Sequence, residues 1–165
     1  MKLKTLAVAL SMGLSTQAFA GSTTTYQSNS ETQDQVYAGL VWSLQDLSMT
    51  PELNVGYRTL KVKSNDQVDG VDVSFKVTLK NGPVFDSTRL SYVGGERNLL
   101  GNIGIGYSYT NATLLGTFAA QGPYVRIGAD YELNNEQFKP YLEVLTADSP
   151  DKVNKKVIVT EEQIF

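Results

Sequence analysis

The sequence predicts an all-β protein, an eight-stranded antiparallel up-and-down β-barrel with short loops, and three observations carry that expectation. Apolar and polar residues alternate strictly along the stretch from Leu99 to Leu133, the period of side chains that leave a strand on opposite faces. Eight segments of this kind follow one another with connections of hairpin length. No segment has the apolar spacing of an amphipathic helix. An even number of short strands joined by tight turns closes most simply into an up-and-down barrel, and eight strands enclose an interior just wide enough for side chains.

The first strand is expected from Val36 to Leu44, where Val36, Ala38, Leu40, Trp42 and Leu44 share one face against Tyr37, Gly39, Val41 and Ser43. Pro51 marks the break before a second strand from Glu52 to Lys63, with Leu53, Val55 and Tyr57 opposite Asn54, Gly56 and Arg58. The far end of that strand, Thr59 to Lys63, reads either way. Ser64 to Gly70 is a turn by composition. The third strand places Val71, Val73, Phe75, Val77 and Leu79 against Asp72, Ser74, Lys76, Thr78 and Lys80. After Asn81-Gly82-Pro83, a fourth runs from Ser87 to Gly95, with Thr88, Leu90 and Tyr92 opposite Arg89 and Ser91.

Leu99 to Leu133 supplies three more strands, turning at Thr110-Asn111 and at Gln121-Gly122-Pro123. Its first strand alternates Ile103, Ile105, Tyr107 and Tyr109 with Asn102, Gly104, Gly106 and Ser108. Its third alternates Val125, Ile127, Ala129, Tyr131 and Leu133 with Tyr124, Arg126, Gly128, Asp130 and Glu132. The eighth strand, Phe138 to Thr146, sets Leu142 and Val144 against Tyr141 and Glu143.

The ends read differently. Lys2 and Lys4 precede the apolar run Leu6–Leu14, and Ala18-Phe19-Ala20 forms an A-x-A cleavage site, so 1–20 reads as a secretory signal peptide. That run is far below the ~20 residues of a spanning helix. Residues 21–35 read as a flexible polar lead, 36–147 as the barrel, and 148–165 as a C-terminal tail or extra strand.

Composition removes several kinds of chemistry. The chain has 165 residues, net charge −3, no His and no Cys. With two lysines removed in the signal segment, the mature charge is −3 − 2 = −5. Thiol nucleophiles, Cys-ligated metals, His zinc sites and Ser-His-Asp catalysis are excluded. An acidic chain without a basic cluster points away from nucleic acid.

The face that meets water is decided by its composition. The polar face is mostly Gly, Ser, Thr and Asn, with charges of both signs at Arg58, Asp72, Lys76, Arg89, Arg126, Asp130 and Glu143. Small residues and mutually neutralising charges suit a narrow lumen, where buried ions persist only when paired. Aromatic residues near the strand ends of the apolar face (Trp42, Tyr57, Tyr92, Tyr107, Tyr109 and Tyr131) are placed as an interfacial girdle. In the alternative, a soluble periplasmic barrel or sandwich binding a small apolar ligand or a partner protein, Val73, Phe75, Ile103, Ile105 and Ile127 line the core and Arg126 and Asp130 face solvent.

From Val36 to Thr146 the chain resembles the small eight-stranded outer-membrane β-barrels of Gram-negative bacteria. Those barrels carry a C-terminal strand motif of the form Gly-x-x-aromatic-x-hydrophobic. Gly128-x-x-Tyr131-x-Leu133 and Gly104-x-x-Tyr107-x-Tyr109 match it internally, and Phe165 ends the chain, with Glu161 and Gln163 where the motif has apolar residues. The resemblance implies transmembrane β-strands in the outer membrane of the cell envelope, contact with its lipid, and delivery by barrel-assembly machinery. The expected role is non-enzymatic: structural, surface-interacting or a narrow pore, with no cofactor and no assigned ligand.

Other motifs yield to plainer explanations. Gly101, Gly104 and Gly106 have the wrong spacing for a phosphate loop and no helix after them, so they read as lumen-facing glycines. Asn111-Ala112-Thr113 reads as a tight turn. Asp66, Asp69, Asp72 and Asp86 lack the twelve-residue calcium loop and read as solvated turns. Asp130 and Glu143 stand among arginines, which favours an ion network over an acid–base pair. External loops are expected at Gln45–Thr50, Asn81–Asp86, Thr110–Asn111 and Asn134–Gln137.

Overall fold

The structure, a computed structural model, describes residues 23–45, 50–80 and 82–160. The expected signal peptide, the central part of the Gln45–Thr50 loop, Asn81, and Glu161, Gln163 and Phe165 lie outside the described residues. The described strands are β1 (Thr23–Gln27), β2 (Ser30–Ser43), β3 (Glu52–Lys63), β4 (Gln67–Thr78), β5 (Val84–Glu96), β6 (Leu99–Ser108), β7 (Thr113–Gly122), β8 (Val125–Glu132), β9 (Gln137–Leu145) and β10 (Lys156–Thr160). Strands β2 to β9 form a closed barrel in chain order, each antiparallel to the next, and β9 returns to pair with β2. Strands β1 and β10 form a separate two-stranded sheet.

The barrel has two ends. At the base, β2 begins and β9 finishes, and the β3–β4, β5–β6 and β7–β8 turns lie there. The β2–β3, β4–β5, β6–β7 and β8–β9 connections form the rim. Single non-glycine residues with positive φ make four of these turns tight: Asp66, Ala112, Tyr124 and Glu136. Left-handed backbone is costly for a residue as bulky as tyrosine, and Tyr124 is held there from both sides. Its N–H donates to the Ala147 carbonyl at 3.1 Å, and its own carbonyl accepts from Leu145 N–H at 2.9 Å.

Strand β3 has the bounds its alternation predicts. Strand β2 starts at Ser30 instead of Val36, because Ser30–Gln35 continue the register with Lys63–Arg58. The polar lead thus supplies the first part of a barrel strand. Strand β4 likewise begins at Gln67, inside the expected Ser64–Gly70 turn, and pairs Val68 with Val62. A register shift at Lys76/Val77 accommodates one extra residue of β5.

Near the base the inside–outside pattern inverts. Leu60, Val62, Val68, Val93 and Leu100 point inward and bury each other together with Val153, while Thr59, Lys61 and Lys63 occupy the outward positions. This inversion is why Thr59 to Lys63 reads either way in the sequence. A second buried cluster joins Tyr37, Leu145 and Ala147.

The barrel interior as candidate functional site

Apolar side chains crowd the outside of the middle of the barrel. Val55, Val71, Phe75, Leu90, Ile103, Leu114, Phe118 and Val144 are all exposed, as are Ile105 at 67% and Ile127 at 55%. The soluble alternative placed Val73, Phe75, Ile103, Ile105 and Ile127 in the core; the structure corrects this. Val73 is half-buried and the other four are exposed, all on the outer face, while Arg126 and Asp130 are inside. From Val125 on β8 to Leu133 just beyond it, the outward positions climb about 20 Å at ordinary strand rise and barrel tilt.

The expected aromatic positions all lie on this outer face. Tyr57, Tyr92, Tyr107, Tyr109 and Tyr131 are exposed and Trp42 is half-exposed. Toward the rim, Phe75 packs on Phe85 with ring centroids 5.9 Å apart, Phe85 on Tyr109 at 5.1 Å, and Tyr107 on Tyr109 at 5.1 Å. Toward the base, Tyr92 donates to Asp69 at 2.9 Å, and the same carboxylate pairs with Lys63 at 3.0 Å. Each tyrosine ring there covers apolar wall while its hydroxyl reaches a charged group.

Inside, the charges expected to form one lumen network separate into groups. The largest is centred on Arg126, whose guanidinium donates to Asp72 at 3.2 Å, to Glu143 at 3.3 Å and to Gln121 at 2.8 and 3.1 Å. It also lies over the Tyr37 ring, 5.2 Å from the centroid, and donates to the Tyr37 hydroxyl at 3.2 Å. That hydroxyl in turn donates to Asp72, 2.8 and 2.9 Å from the two carboxylate oxygens. Asn54 donates to Glu143 at 2.7 Å. Six strands contribute: β2 (Tyr37), β3 (Asn54), β4 (Asp72), β7 (Gln121), β8 (Arg126) and β9 (Glu143).

A second group pairs Arg89 on β5 with Asp130 on β8 at 2.5 Å, with the guanidinium 5.0 Å from the centre of the Tyr141 ring. Nearer the rim, Lys76 bridges Glu52 at 2.9 Å and Asp86 at 3.1 Å, and Lys139 holds Glu132 at 2.6 Å. Arg58, completely buried, takes part in no salt bridge among the described residues. It donates instead to the Gln35 side-chain oxygen and, at 2.7 Å, to the Asp148 carbonyl. Of the four aspartates read as solvated turns, only Asp66 lies in a turn, where it accepts from Arg97 at 3.2 Å. Asp69 and Asp72 stand on β4 and Asp86 on β5, where it accepts from Lys76. Asp72 is the clearest departure, since it is buried at the heart of the Arg126 group.

The sequence reading did not single out Tyr37, Tyr141, Gln121, Asn54, Gln35, Glu52, Lys139 or Glu132 for this interior. The only signal available for Tyr37 and Tyr141 was parity: each falls on the small, polar face of its strand. Glycine makes room for the first of them. A Cβ at Gly56 would stand 2.3 Å from the Tyr37 ring, so the ring crosses the lumen over bare backbone.

Residues 146–155 fold across the base. Arg97 donates to the Pro150 carbonyl at 3.0 Å, Tyr124 to the Asp148 carboxylate at 2.7 Å, and Val153 completes the apolar cluster of β3 to β6. The interior is therefore stacked as an apolar layer at the base, a hydrogen-bonded ionic layer in the middle, and an open polar vestibule of about 140 Å³ at the rim. Such an arrangement fixes the barrel cross-section and fills it. Comparison with protein-family models, with curated proteins and with solved structures returned no match.

Proposed function

We propose that this chain is a small outer-membrane β-barrel that works without catalysis, as a closed structural or surface-interacting element of a Gram-negative envelope. The observation that carries this is the inverted distribution of side chains around the barrel wall. Exposed Ile103, Ile105, Phe118 and Ile127 face outward while fully buried Arg58 and Glu143 lie within. In water, a wall of this kind exposes a contiguous apolar band of a size that soluble monomers avoid. In a bilayer, the same band meets acyl chains, and antiparallel closure pairs every strand of the barrel with two neighbours.

The layered interior favours a closed barrel over a conducting pore, since an eight-stranded lumen is filled by its own side chains. Non-enzymatic action is supported by the absence of His and Cys from the sequence and by the pairing of Asp72, Asp130, Glu143, Asp86 and Glu132 with cations. Bilayer lipid is then the standing partner, with barrel-assembly machinery acting during biogenesis. Fractionation tests the proposal: the protein should leave the envelope only with detergent and should migrate differently on gels before and after boiling. Release by osmotic shock with a single gel position would refute it.

A further inference from the structure

The barrel closes over a short seam. Strand β2 pairs with β3 from Ser30 to Val41, whereas β9 covers β2 only from Gly39 to Ser43. Thr146 adds a last contact, its N–H donating to the Ala38 carbonyl at 2.8 Å and its hydroxyl accepting from Ala38 N–H at 3.1 Å. The chain then leaves β2 and crosses the base. From Ser30 to Tyr37 the edge of β2 turned away from β3 has no partner strand among the described residues. A strand edge of this kind presents alternate N–H and C=O groups to whatever approaches.

A cleft of about 440 Å³ lies beside this edge, bounded by Glu31–Gln35, Leu60 and the crossing segment from Asp148 to Asp151. That volume falls in the range of ligand-binding clefts. The Gln33 side chain reaches across it and holds the Asp151 backbone by two bonds, Nε2 to the carbonyl at 3.0 Å and Oε1 from the N–H at 2.7 Å. An amide side chain of β2 thus already holds a stretch of backbone beside this edge. Glu31, Asp34, Asp148 and Asp151 border the cleft, and among the described residues no Lys or Arg lines it. Glu31 and Asp151 are both exposed.

We propose that the free edge of β2 is a docking site for an extended protein segment carrying Lys or Arg at alternate positions, which adds as a strand beside Glu31–Gln35. The edge selects an extended backbone, because only that matches a row of strand hydrogen-bonding groups. The four carboxylates select its charge. Alternation follows from strand geometry, in which every second side chain points the same way. A second copy of this chain is disfavoured, since it would bring its own acids to the same edge. The proposal concerns the base of the barrel and stands independently of what surrounds the barrel wall.

The test uses the full chain folded in a non-ionic detergent and fluorescent peptides of about seven residues, the length of an ordinary strand. One alternates Lys with Val, the second alternates Glu with Val, and the third is the Lys peptide interrupted by a central Pro. Anisotropy should report salt-sensitive binding of the Lys peptide, binding at least about tenfold weaker for the Pro version, and none for the Glu peptide. The double substitution Glu31→Lys with Asp151→Lys should abolish binding while leaving the gel shift and circular dichroism of the barrel intact. Equal affinity for the Lys and Pro peptides would reduce the effect to bare charge attraction and overturn the proposal. So would binding unchanged by the double substitution, no binding at millimolar peptide, or a dimer of the parent chain that the peptide disrupts.

Discussion

Arg126 lies over the ring of Tyr37, 5.2 Å from its centroid, and donates a hydrogen bond to that same residue's hydroxyl at 3.2 Å. The two residues are 89 positions apart in sequence, so this contact exists only once the barrel has closed. It places a cation against the face of an aromatic ring and leaves the hydroxyl proton free to serve Asp72. Tyr37 therefore does two jobs: its ring fills the lumen, and its hydroxyl joins the buried cation to the buried anion.

Arg126→Ala should leave Asp72 and Glu143 buried without their counter-charge and destabilise the barrel by about 3–5 kcal/mol. Tyr37→Phe keeps the ring and removes one hydroxyl, so its cost should be smaller, about 1–3 kcal/mol. Urea unfolding of the protein folded in micelles measures both. An Arg126→Ala variant as stable as the parent, or less affected than Tyr37→Phe, would show that the network is not holding the barrel.

Gly56→Ala should also disturb this group, without touching a charge. The added methyl would meet the Tyr37 ring at 2.3 Å and displace it, at a cost of about 1–3 kcal/mol. Gly116 faces outward with nothing within 4 Å of a Cβ added there, and Gly116→Ala should stay within about 0.5 kcal/mol of the parent. Equal effects in the two variants would contradict the close approach of ring and backbone.

Alternation made the barrel legible wherever one strand face stays apolar along its length, as in β6 and β8. It failed at the base, where Leu60 and Val62 turn inward and Lys61 and Lys63 outward, and where Ser30–Gln35 form strand with no apolar alternation at all. Residues 36–147 held most of the barrel, but β2 extends it to Ser30. Within the interior, parity sufficed to choose Arg89, Arg126, Asp130 and Glu143, since each is a charge on the small-residue face. Partner choice was not legible, because it depends on the relative positions of strands far apart in sequence. Lys76 therefore finds Glu52 and Asp86, and Arg58 finds a glutamine and a backbone carbonyl. The tail was opaque for the same reason: nothing in its sequence marks Val153 as the cover for Leu60 and Val93.

Val153→Asp should detach that cover. A carboxylate placed among Leu60, Val62, Val68, Val93 and Leu100 would be buried in a cluster of apolar side chains, so releasing the segment costs less than burying the charge. Hydrogen exchange should quicken in 147–155 while amides of β6, β7 and β8 keep their protection. Unchanged exchange in the segment would mean that Val153 does not hold it.

Acid should loosen the same segment. The hydrogen bond from Tyr124, then that from the Ser149 backbone N–H, holds the Asp148 carboxyl below its ordinary value. A carboxyl depressed on folding contributes stability that is fully present above its unfolded value, about 4, and is lost as pH falls through the lower folded value. Protease resistance of 147–155 should therefore decline below about pH 4. Tyr124→Phe, which removes the largest cause of the lowered value, should start from lower resistance at neutral pH and lose less of it on acidification. An acid-induced loss as large in Tyr124→Phe as in the parent would show that this bond does not set it.

The sequence contains a single tryptophan, Trp42, and β2 carries it on the outer face beside Leu40. Its fluorescence therefore reports directly what the barrel wall touches. With the full chain reconstituted in bilayers, bromine on the acyl chains should quench Trp42 strongly, and iodide in the surrounding water should have little effect. Efficient quenching by iodide with none from the brominated chains would mean that the wall faces water, and the assignment to a membrane would fall.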